Sequence, residues 1–191
     1  MSAMSVSAWS PATIAASSEE IRAVFAAAFV MSADEASRFV GHLATHATRR
    51  DFRFIAACEG ENGPLLGFIY GYTGEPGQWF HDRIRAALAP AMAEHWLADV
   101  YEVVEFGVRP EAQGRGIGGQ LHDALVSSLT NRTAILSTRQ EDTPARRLYQ
   151  RRGWQPLLTD YQFPSSAKPY TILGLDLRQA ATEHKPVTRS L

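Results

Sequence analysis

Residues 101–121 read YEVVEFGVRPEAQGRGIGGQL, and their pattern changes twice along the way. From Tyr101 to Val108 the residues are mostly β-branched or aromatic, which predicts a strand that Pro110 ends. Four glycines within six residues then predict a turn, and apolar residues return at helical spacing from Ile117. A strand, a glycine-rich turn and a helix together aim several backbone N–H groups at one anion, usually a phosphate. The stretch therefore predicts a site for a pyrophosphate.

Two other interpretations of this turn are open to the sequence. Gly114-x-Gly116-x-x-Gly119 formally matches the dinucleotide fingerprint of Rossmann folds. However, the match comes late in the chain, and the residue about 20 positions further on is Arg139 rather than a ribose-binding acid. A tight connection between a strand and a helix is the purely structural interpretation. A P-loop is excluded because the chain contains no Gly-Lys-Ser/Thr.

The whole chain limits the classes of protein to consider. Its 191 residues predict one domain over residues 1–177, followed by a polar tail at 178–191. A net charge of −1 predicts neither a nucleic-acid partner nor a membrane-surface partner. A single cysteine, Cys58, excludes an internal disulfide, and no leader or membrane span is recognised, so we expect a cytoplasmic location. His42 and His46 lie one helical turn apart, but without a third ligand they predict solvated or hydrogen-bonded histidines and no metal site.

Local patterns outline the rest of the fold. Capping boxes that begin at Ser17 and Ser32 predict two early helices. Alternating apolar residues predict an antiparallel hairpin from strands at 52–58 and 65–72. Further strands are expected at 12–15, 134–138, 161–163 and 170–177.

Residues 142–154 read DTPARRLYQRRGW and form a second motif. Asp142 or Thr143 can cap a helix, and Pro144 is suited to its first turn. Gly153 can end the helix in a left-handed conformation. The motif therefore predicts a short helix with well-defined ends.

The two motifs together are similar to those of one family. Residues 113–118, QGRGIG, resemble the Gln/Arg-x-x-Gly-x-Gly/Ala element of the GCN5-related N-acetyltransferases. Residues 142–154 resemble the family's Asn-x-x-Ala-x-x-x-Tyr-x-x-x-Gly-Phe signature, with Asp142 for Asn and Trp154 for Phe. The resemblance covers residues 11–177, and the specific motifs lie within 104–154. It implies an α/β fold of the GNAT type, with a mixed sheet of about seven strands flanked by helices.

The resemblance also implies the cofactor and the residues that hold it. Acetyl-CoA would be the co-substrate, bound through its pyrophosphate at the glycine turn, which we define as residues 113–118. A backbone N–H near Phe106 to Val108 would polarise the thioester carbonyl where the family's fourth strand is kinked. The implied cofactor-binding residues are Phe106, Val108, Gln113, Gly114, Arg115, Gly116, Ile117, Gly118, Gly119, Thr138, Asp142 and Ala145.

Three residues are candidates for acid and base catalysis. Tyr149 stands where the family keeps the acid that protonates the leaving thiolate, although its helix face also suits a core residue. Glu102 and Glu105 are candidate bases for the attacking amine. Strand alternation puts these two carboxylates on opposite faces unless a kink intervenes, so the sequence leaves the choice between them open.

The connection between the third and fourth strands departs from the family. It spans residues 73–99, where a tight turn is usual, and its pattern predicts a helical insertion. Trp79 could wall an acceptor pocket, and Asp82 could bind a cationic amine or pair with Arg85. Extra core packing, or a contact between two copies in a homodimer, would account for the insertion equally well.

The resemblance implies an acetyl-CoA-dependent N-acetyltransferase. It would transfer an acetyl group to a primary amine, on a small molecule or a peptide, by direct attack in a ternary complex. The alternative is an acyl-CoA-binding sensor or interaction module that has kept the fold without turnover.

Overall fold

The computed structural model of the chain describes residues 4–61, 63–164, 166 and 168–178. The strands are β1 (Met4–Ala8), β2 (Arg53–Glu59), β3 (Leu65–Gly74), β4 (Val100–Val108), β5 (Thr133–Arg139), β6 (Gln155–Tyr161) and β7 (Tyr170–Asp176). The helices are α1 (Pro11–Ala16), α2 (Ser18–Phe29), α3 (Ala33–His46), α4 (Trp79–Ala87), α5 (Pro90–Leu97), α6 (Ile117–Ser127) and α7 (Pro144–Arg151). Within the described ranges the seven strands form one mixed sheet in the order β1-β2-β3-β4-β5-β7-β6. The predicted fold class is confirmed, including the helical insertion between the third and fourth strands.

The chain divides into two compact units, and the first contains Met1–Thr73 and Val103–Leu129. In this unit β1 pairs with β2 and β2 with β3, both antiparallel. Helices α2 and α3 cover β2 and β3 through a stack of rings. The ring centroids of Phe25 and Phe39 lie 3.9 Å apart, and the Phe39 centroid lies 5.9 Å from that of Phe68 on β3. These aromatic side chains bury a large apolar area and fix the two helices against the strands.

The first strand lies earlier than the sequence pattern predicts. Residues 12–15, expected as a strand, belong to helix α1, and β1 lies at Met4–Ala8 instead. The reason is local. Ser10 accepts a hydrogen bond from the Thr13 backbone N–H at 3.1 Å, and Pro11 occupies the first helical position. A capped start with proline at its first position favours a helix over a short strand.

The second unit contains Gly74–Glu102 and Thr130–Leu191. The first residues of β4 pair in parallel with β5, which pairs antiparallel with β7, and β7 with β6. The insertion helices α4 and α5 contribute Ile84 and Trp96 to a buried cluster that also contains Ile135 and Ile172 from the sheet. The insertion is therefore part of the core of this unit.

Two expectations about the end of the chain have different outcomes. The strand expected at 161–163 lies earlier, at Gln155–Tyr161, and starts two residues after Gly153, which follows α7. The strand expected at 170–177 is present as β7. The expected polar tail lies outside the described residues apart from Arg178. In the part of the chain that the structure describes, no helix has both the length and the apolar character that crossing a membrane requires.

Candidate active site

The glycine turn joins β4 to α6 in the first unit. Gly114 and Gly116 have φ values of +76° and +78°, the left-handed region that favours glycine. A Cβ built on either residue meets no atom within 4 Å, so open space lies in front of both. Gly116 is also the N-cap of α6, and because glycine has no side chain it cannot cap the first N–H groups of this helix. The first N–H groups of a helix have no partner within the helix, so those of α6 can bind an anion.

The side chains around this turn leave the backbone accessible. Gln113 folds back and donates from Nε2 to the Val108 carbonyl oxygen at 3.1 Å, which fixes the end of β4. Arg115 is exposed within the turn, while Ile117 is buried and anchors the start of α6. Glycine backbone with an exposed guanidinium beside it suits a pyrophosphate, whose charge both groups would neutralise. The residues present therefore fit the diphosphate of coenzyme A.

The face alternation of β4 breaks between Val104 and Gly107. Val104 packs against the core cluster that α2 and α3 form with β2 and β3. A Cβ at Gly107 would lie 3.1 Å from the Cβ of Ala28 on α2, so Gly107 faces these helices as well. Residues three positions apart lie on opposite faces of a regular strand, so the strand is locally irregular here. Such irregularities redirect side chains beside active sites.

Glu105 lies inside this irregular stretch. The residue as a whole is partly exposed. Burial of the carboxyl away from water nevertheless raises the pKa of Glu105 to about 8. Within the described residues the carboxylate forms no hydrogen bond and no salt bridge, so nothing offsets the lost hydration. A carboxyl group with this pKa is half ionised near pH 8, where it can accept a proton from a substrate.

A tyrosine lies near Glu105, and a histidine is hydrogen-bonded to that tyrosine. The Tyr70 hydroxyl and His46 Nδ1 are 3.1 Å apart and hydrogen-bonded. Burial raises the pKa of Tyr70 above its usual value, with a further contribution from the nearby Glu105 carboxylate. Burial, helped by Arg49 and then by His42, lowers the pKa of His46 to about 4. Both side chains are therefore neutral at pH 7. His46 is a hydrogen-bonded histidine, and no group of three metal-ligating side chains is found in the described part of the chain.

Glu102, the other candidate base, belongs to the second unit and is only 1% exposed. A Cβ added at Gly74 would lie 2.6 Å from Glu102 Oε1 and 2.9 Å from its Cγ. The strand residue Gly74 therefore covers this carboxylate closely. Sequence alone could not separate the two glutamates, whereas the structure gives them different surroundings.

The second motif forms α7 in the second unit. Thr143, rather than Asp142, caps the helix and accepts from the Arg146 N–H at 3.1 Å. The Asp142 carboxylate pairs instead with Arg147 at 2.7 Å, a contact at the surface. Gly153 has a φ of +80° and lies just past the end of the helix. The motif thus ends the helix as its residue types predict, and it leaves Asp142 exposed.

Tyr149, the candidate acid, is 5% exposed. Its ring lies against the Trp154 indole with the centroids 5.6 Å apart. Of the other two residues expected near the cofactor in this unit, Thr138 is half-buried on β5 and Ala145 is half-buried on α7. The expected cofactor residues thus fall on both units: residues 106–119 on the first, and Thr138, Asp142 and Ala145 on the second.

The insertion borders two cavities of the second unit that share Trp79 as a wall. They measure about 520 and 310 Å³. Trp79 is 55% exposed, which is unusual for so large an apolar side chain. Asp82 lines the larger cavity, and its carboxylate accepts from the Gly77 N–H at 3.0 Å. That bond and a second one with His81 lower the pKa of Asp82, so the carboxylate is ionised and held in place.

Comparison with known proteins places this geometry in a family. The model of the acetyltransferase (GNAT) family matches residues 18–154, which include the glycine turn, Glu105 and the α7 motif. The chain belongs to the GNAT acetyltransferase family. The general reaction of this family is acetyl transfer from acetyl-CoA.

Individual relatives agree with this assignment. A GCN5-like protein acetyltransferase of Mycobacterium tuberculosis is 35% identical over 130 residues, which are 64% of this chain and 63% of that protein. A GNAT-family protein of Desulfovibrio desulfuricans has a similar structure, with a TM-score of 0.64 at 18% identity over 92% of this chain and 99% of that one. A Salmonella typhimurium protein solved with its cofactor acetyl-CoA has a TM-score of 0.58 at 15% identity, over 92% and 95% of the two chains. At these identities the two structures show a common fold.

Sequence analysis did not identify several residues that the structure brings forward. Tyr70 and His46 come from different elements, and nothing in the sequence signals their hydrogen bond or the closeness of Tyr70 to Glu105. In the sequence, Arg139 stands out only because it occupies the position where a dinucleotide fingerprint would have a ribose-binding acid. Its alternation with Ser137 at the end of β5 is the signal that could have drawn attention to it.

Proposed function

We propose that this protein is an acetyl-CoA-dependent N-acetyltransferase that acetylates a primary amine by direct attack in a ternary complex. The observation that carries the proposal is Glu105, a desolvated carboxyl group with its pKa raised to about 8 on the irregular part of β4. A primary ammonium has a pKa of about 10.4, whereas an ordinary glutamate lies near 4.3. Raising the carboxyl pKa brings the two groups much closer, so proton transfer to Glu105 costs less free energy.

The reaction divides between the two candidate groups. Glu105 takes one proton from the ammonium, and the neutral nitrogen forms a bond to the thioester carbonyl carbon. As the C–S bond breaks, Tyr149 gives its hydroxyl proton to the departing thiolate. The nitrogen loses a second proton as the amide forms, and this proton, carried by solvent water, restores the Tyr149 hydroxyl. A phenol with a pKa near 10 can protonate a thiolate whose conjugate acid has a pKa near 8.5 without large tuning.

The glycine turn would hold the co-substrate. Acetyl-CoA supplies the activated acetyl group. Gly114, Gly116 and the N–H groups of α6 would bind its pyrophosphate, with Arg115 as a further positive charge. A backbone N–H near Phe106 to Val108 would stabilise the negative charge that develops on the carbonyl oxygen. Thr138, Asp142 and Ala145 complete the proposed cofactor contacts.

The acceptor would be a primary amine on a peptide or a small molecule. The name of the M. tuberculosis relative, a protein acetyltransferase, favours a lysine side chain within this class. That chain is matched over only 63% of its length, so its substrates enter here as a proposal. Trp79 and Asp82 would contact the acceptor, because both side chains border the larger cavity of the insertion.

A pair of matched variants tests the glycine turn. Asparagine and aspartate tolerate the left-handed backbone of Gly116 similarly, but only aspartate adds a negative charge. By titration calorimetry, the wild type and Gly116→Asn should bind coenzyme A, and Gly116→Asp should lose binding. Equal binding by both variants, or none by the wild type, would show that the turn is not the phosphate site.

Turnover is tested separately on a panel of primary amines with acetyl-CoA, through release of free thiol. The enzyme should release thiol in the presence of at least one amine, in proportion to acetylated product. Tight coenzyme A binding without turnover on any member of the panel would favour the sensor alternative instead.

A further inference from the structure

The smaller cavity of the insertion has an organised wall of aromatic rings. It measures about 310 Å³ and lies wholly within the second unit. Phe163 is a buried residue of this wall, and its ring centroid lies 5.6 Å from that of Trp79 and 5.1 Å from that of Tyr170. Phe80 lies 6.2 Å from the same ring. Because Phe163 holds the other rings in place, Trp79 presents a fixed apolar face to the cavity despite its exposure.

One guanidinium group lies at the edge of this aromatic wall. Arg139 is the cross-strand partner of Tyr170 in the β5–β7 register. Its Cζ lies 4.8 Å above the centre of the Tyr170 ring. Within the described residues this guanidinium has no hydrogen bond and no salt bridge. A guanidinium carries five N–H donors in a rigid plane, so stacking on a ring orients them while leaving them available to a ligand.

A hydroxyl group adds a further donor on the same face. Ser137 lies two residues before Arg139 on β5, so alternation puts both on one face of the strand, and both line the cavity. The Ser137 hydroxyl has no hydrogen bond within the described residues. The cavity therefore combines a positive charge, a hydroxyl and aromatic walls.

The nearest carboxylates of this unit are already engaged. Asp82 lines the larger cavity beyond Trp79 and accepts from Gly77. Glu141 pairs with Lys168 at 3.3 Å and also interacts electrostatically with Arg139. Asp160 accepts from Gln140 at 3.1 Å. Glu141 is thus shared between two cations, so Arg139, Lys168 and Glu141 together keep a net positive charge, which favours an anionic ligand over a cationic one.

We propose that this cavity binds a carboxylate carried on an apolar or aromatic group, and that this group belongs to the acceptor substrate. The second half rests on the proposed acetyltransferase function. Arg139 holds the carboxylate in a bidentate contact, the geometry that a planar guanidinium matches best. Ser137 donates to the same anion, and Trp79 packs on the apolar body. The insertion thus selects acceptors by a negative charge, in addition to any contact of Asp82 with an amine.

Binding is tested with two probes that differ only in charge. The probes are 3-phenylpropionate and 3-phenylpropionamide, followed through the indole N–H signal of Trp79 in ¹⁵N-labelled protein. Trp79→Phe assigns that signal. We expect the carboxylate to shift it and to bind at least about tenfold more tightly than the amide, because a hydrogen bond to a charged group is involved. Equal affinity for the two probes would overturn the proposal.

Variants of two arginines locate the charge. Arg139→Gln should remove the preference for the carboxylate, and Arg139→Lys should restore part of it. Arg85→Gln is the matched control, because Arg85 is an exposed arginine of α4 that lines neither cavity. A preference that survives Arg139→Gln, in protein with an unchanged melting temperature, would show that Arg139 is not the binding group.

Two competition experiments separate the possible sources of the anion. Saturating coenzyme A should leave 3-phenylpropionate bound, since the cavity is assigned to the acceptor. Displacement by coenzyme A would assign it to a cofactor phosphate and overturn the proposal. In turnover, 3-phenylpropionate should compete with the amine and not with acetyl-CoA. Carboxylate binding without this competition would overturn the acceptor assignment while leaving coenzyme A binding, and so the proposed function, untouched.

Discussion

Glu102 and Glu105 are two carboxylates three residues apart on β4, and their surroundings are opposite. Glu102 is 1% exposed and has Gly74 packed against its carboxyl group. Glu105 keeps an accessible surface, while burial of its carboxyl raises its pKa to about 8. A general base needs a raised pKa and also a path for the substrate to reach it. Glu105 has the raised pKa and is only partly buried as a residue, whereas Glu102 is closed off from solvent.

The difference follows from the course of the strand. A regular strand would place residues at 104 and 107 on opposite faces. In this strand Val104 packs against the cluster that contains α2 and α3, and Gly107 faces α2 on the same side. The irregularity therefore decides which side chains of β4 enter the first unit's core region and which reach its accessible surface. Under the proposed function, the choice between the two glutamates as the base would follow from backbone geometry, since the two side chains are chemically identical.

Exchanging each carboxyl for its neutral isostere should give the largest difference between them. Glu105→Gln should lower kcat by about 10²–10⁴-fold, the usual contribution of a general base. Glu102→Gln should leave kcat near that of the wild type. Steady-state kinetics with an accepted amine measures both. Equal losses in the two variants would show that the distinction drawn from burial is wrong.

The acid can be separated from the base in the same assay. Tyr149→Phe should lower kcat by about 10²-fold, with little change in coenzyme A affinity. Its loss should not remove the pH dependence that Glu105 provides, because the two groups act on different protons. An unchanged kcat in this variant, with chemistry shown to limit the rate, would assign Tyr149 to the core beside Trp154.

Filling the space over Glu102 should cost stability rather than activity. Gly74→Ala would place a Cβ 2.6 Å from the Glu102 carboxylate and 2.9 Å from Val100 Cγ1. Overpacking of this kind costs about 1–3 kcal/mol of unfolding free energy. Denaturant unfolding measures the loss, and Gly41→Ala is the control, because a Cβ at Gly41 meets no atom within 4 Å. If Gly74→Ala is as stable as the control, the region around Glu102 is not closed.

Glu105 should also change how the unfolding free energy depends on pH. Its folded-state pKa of about 8 lies above the value of an ordinary glutamate, so the folded protein binds more protons between these two pH values. Unfolding free energy from this group therefore falls as the pH rises from about 4.5 to 8. Glu105→Gln should remove this decline, so the variant should gain stability relative to the wild type toward pH 8. Parallel stability curves would contradict the raised pKa.

Local sequence signals predicted part of this molecule well. The glycine turn and the α7 motif could be recognised because glycine conformation, proline position and capping act within a few residues. The same local reasoning failed at residues 12–15, where the cap at Ser10 was overlooked. The engagement of Asp82 with Gly77 was also missed, since it depends on the conformation of the loop before α4.

The features that decide the chemistry depend on packing between distant segments. The irregularity of β4 becomes visible only when α2 lies against it. The desolvation of Glu105 likewise arises only in the folded chain. Arg139 meets Tyr170 through strand pairing across 31 positions of sequence, and Phe163 joins Trp79 of the insertion to that pair. Sequence could name the candidate glutamates, but their environments arise from the tertiary structure.

The pH dependence of kcat/KM for the amine tests the role of Glu105 most directly. The wild type and Glu105→Gln should be compared with the same acceptor, at saturating acetyl-CoA, between pH 6 and 10. We expect the wild type to rise through an apparent pKa of about 8 and then to level off. In Glu105→Gln the rise of kcat/KM near pH 8 should be absent, and any remaining rise should follow the pKa of the amine itself. A rise near pH 8 that persists in Glu105→Gln would show that another group is the base.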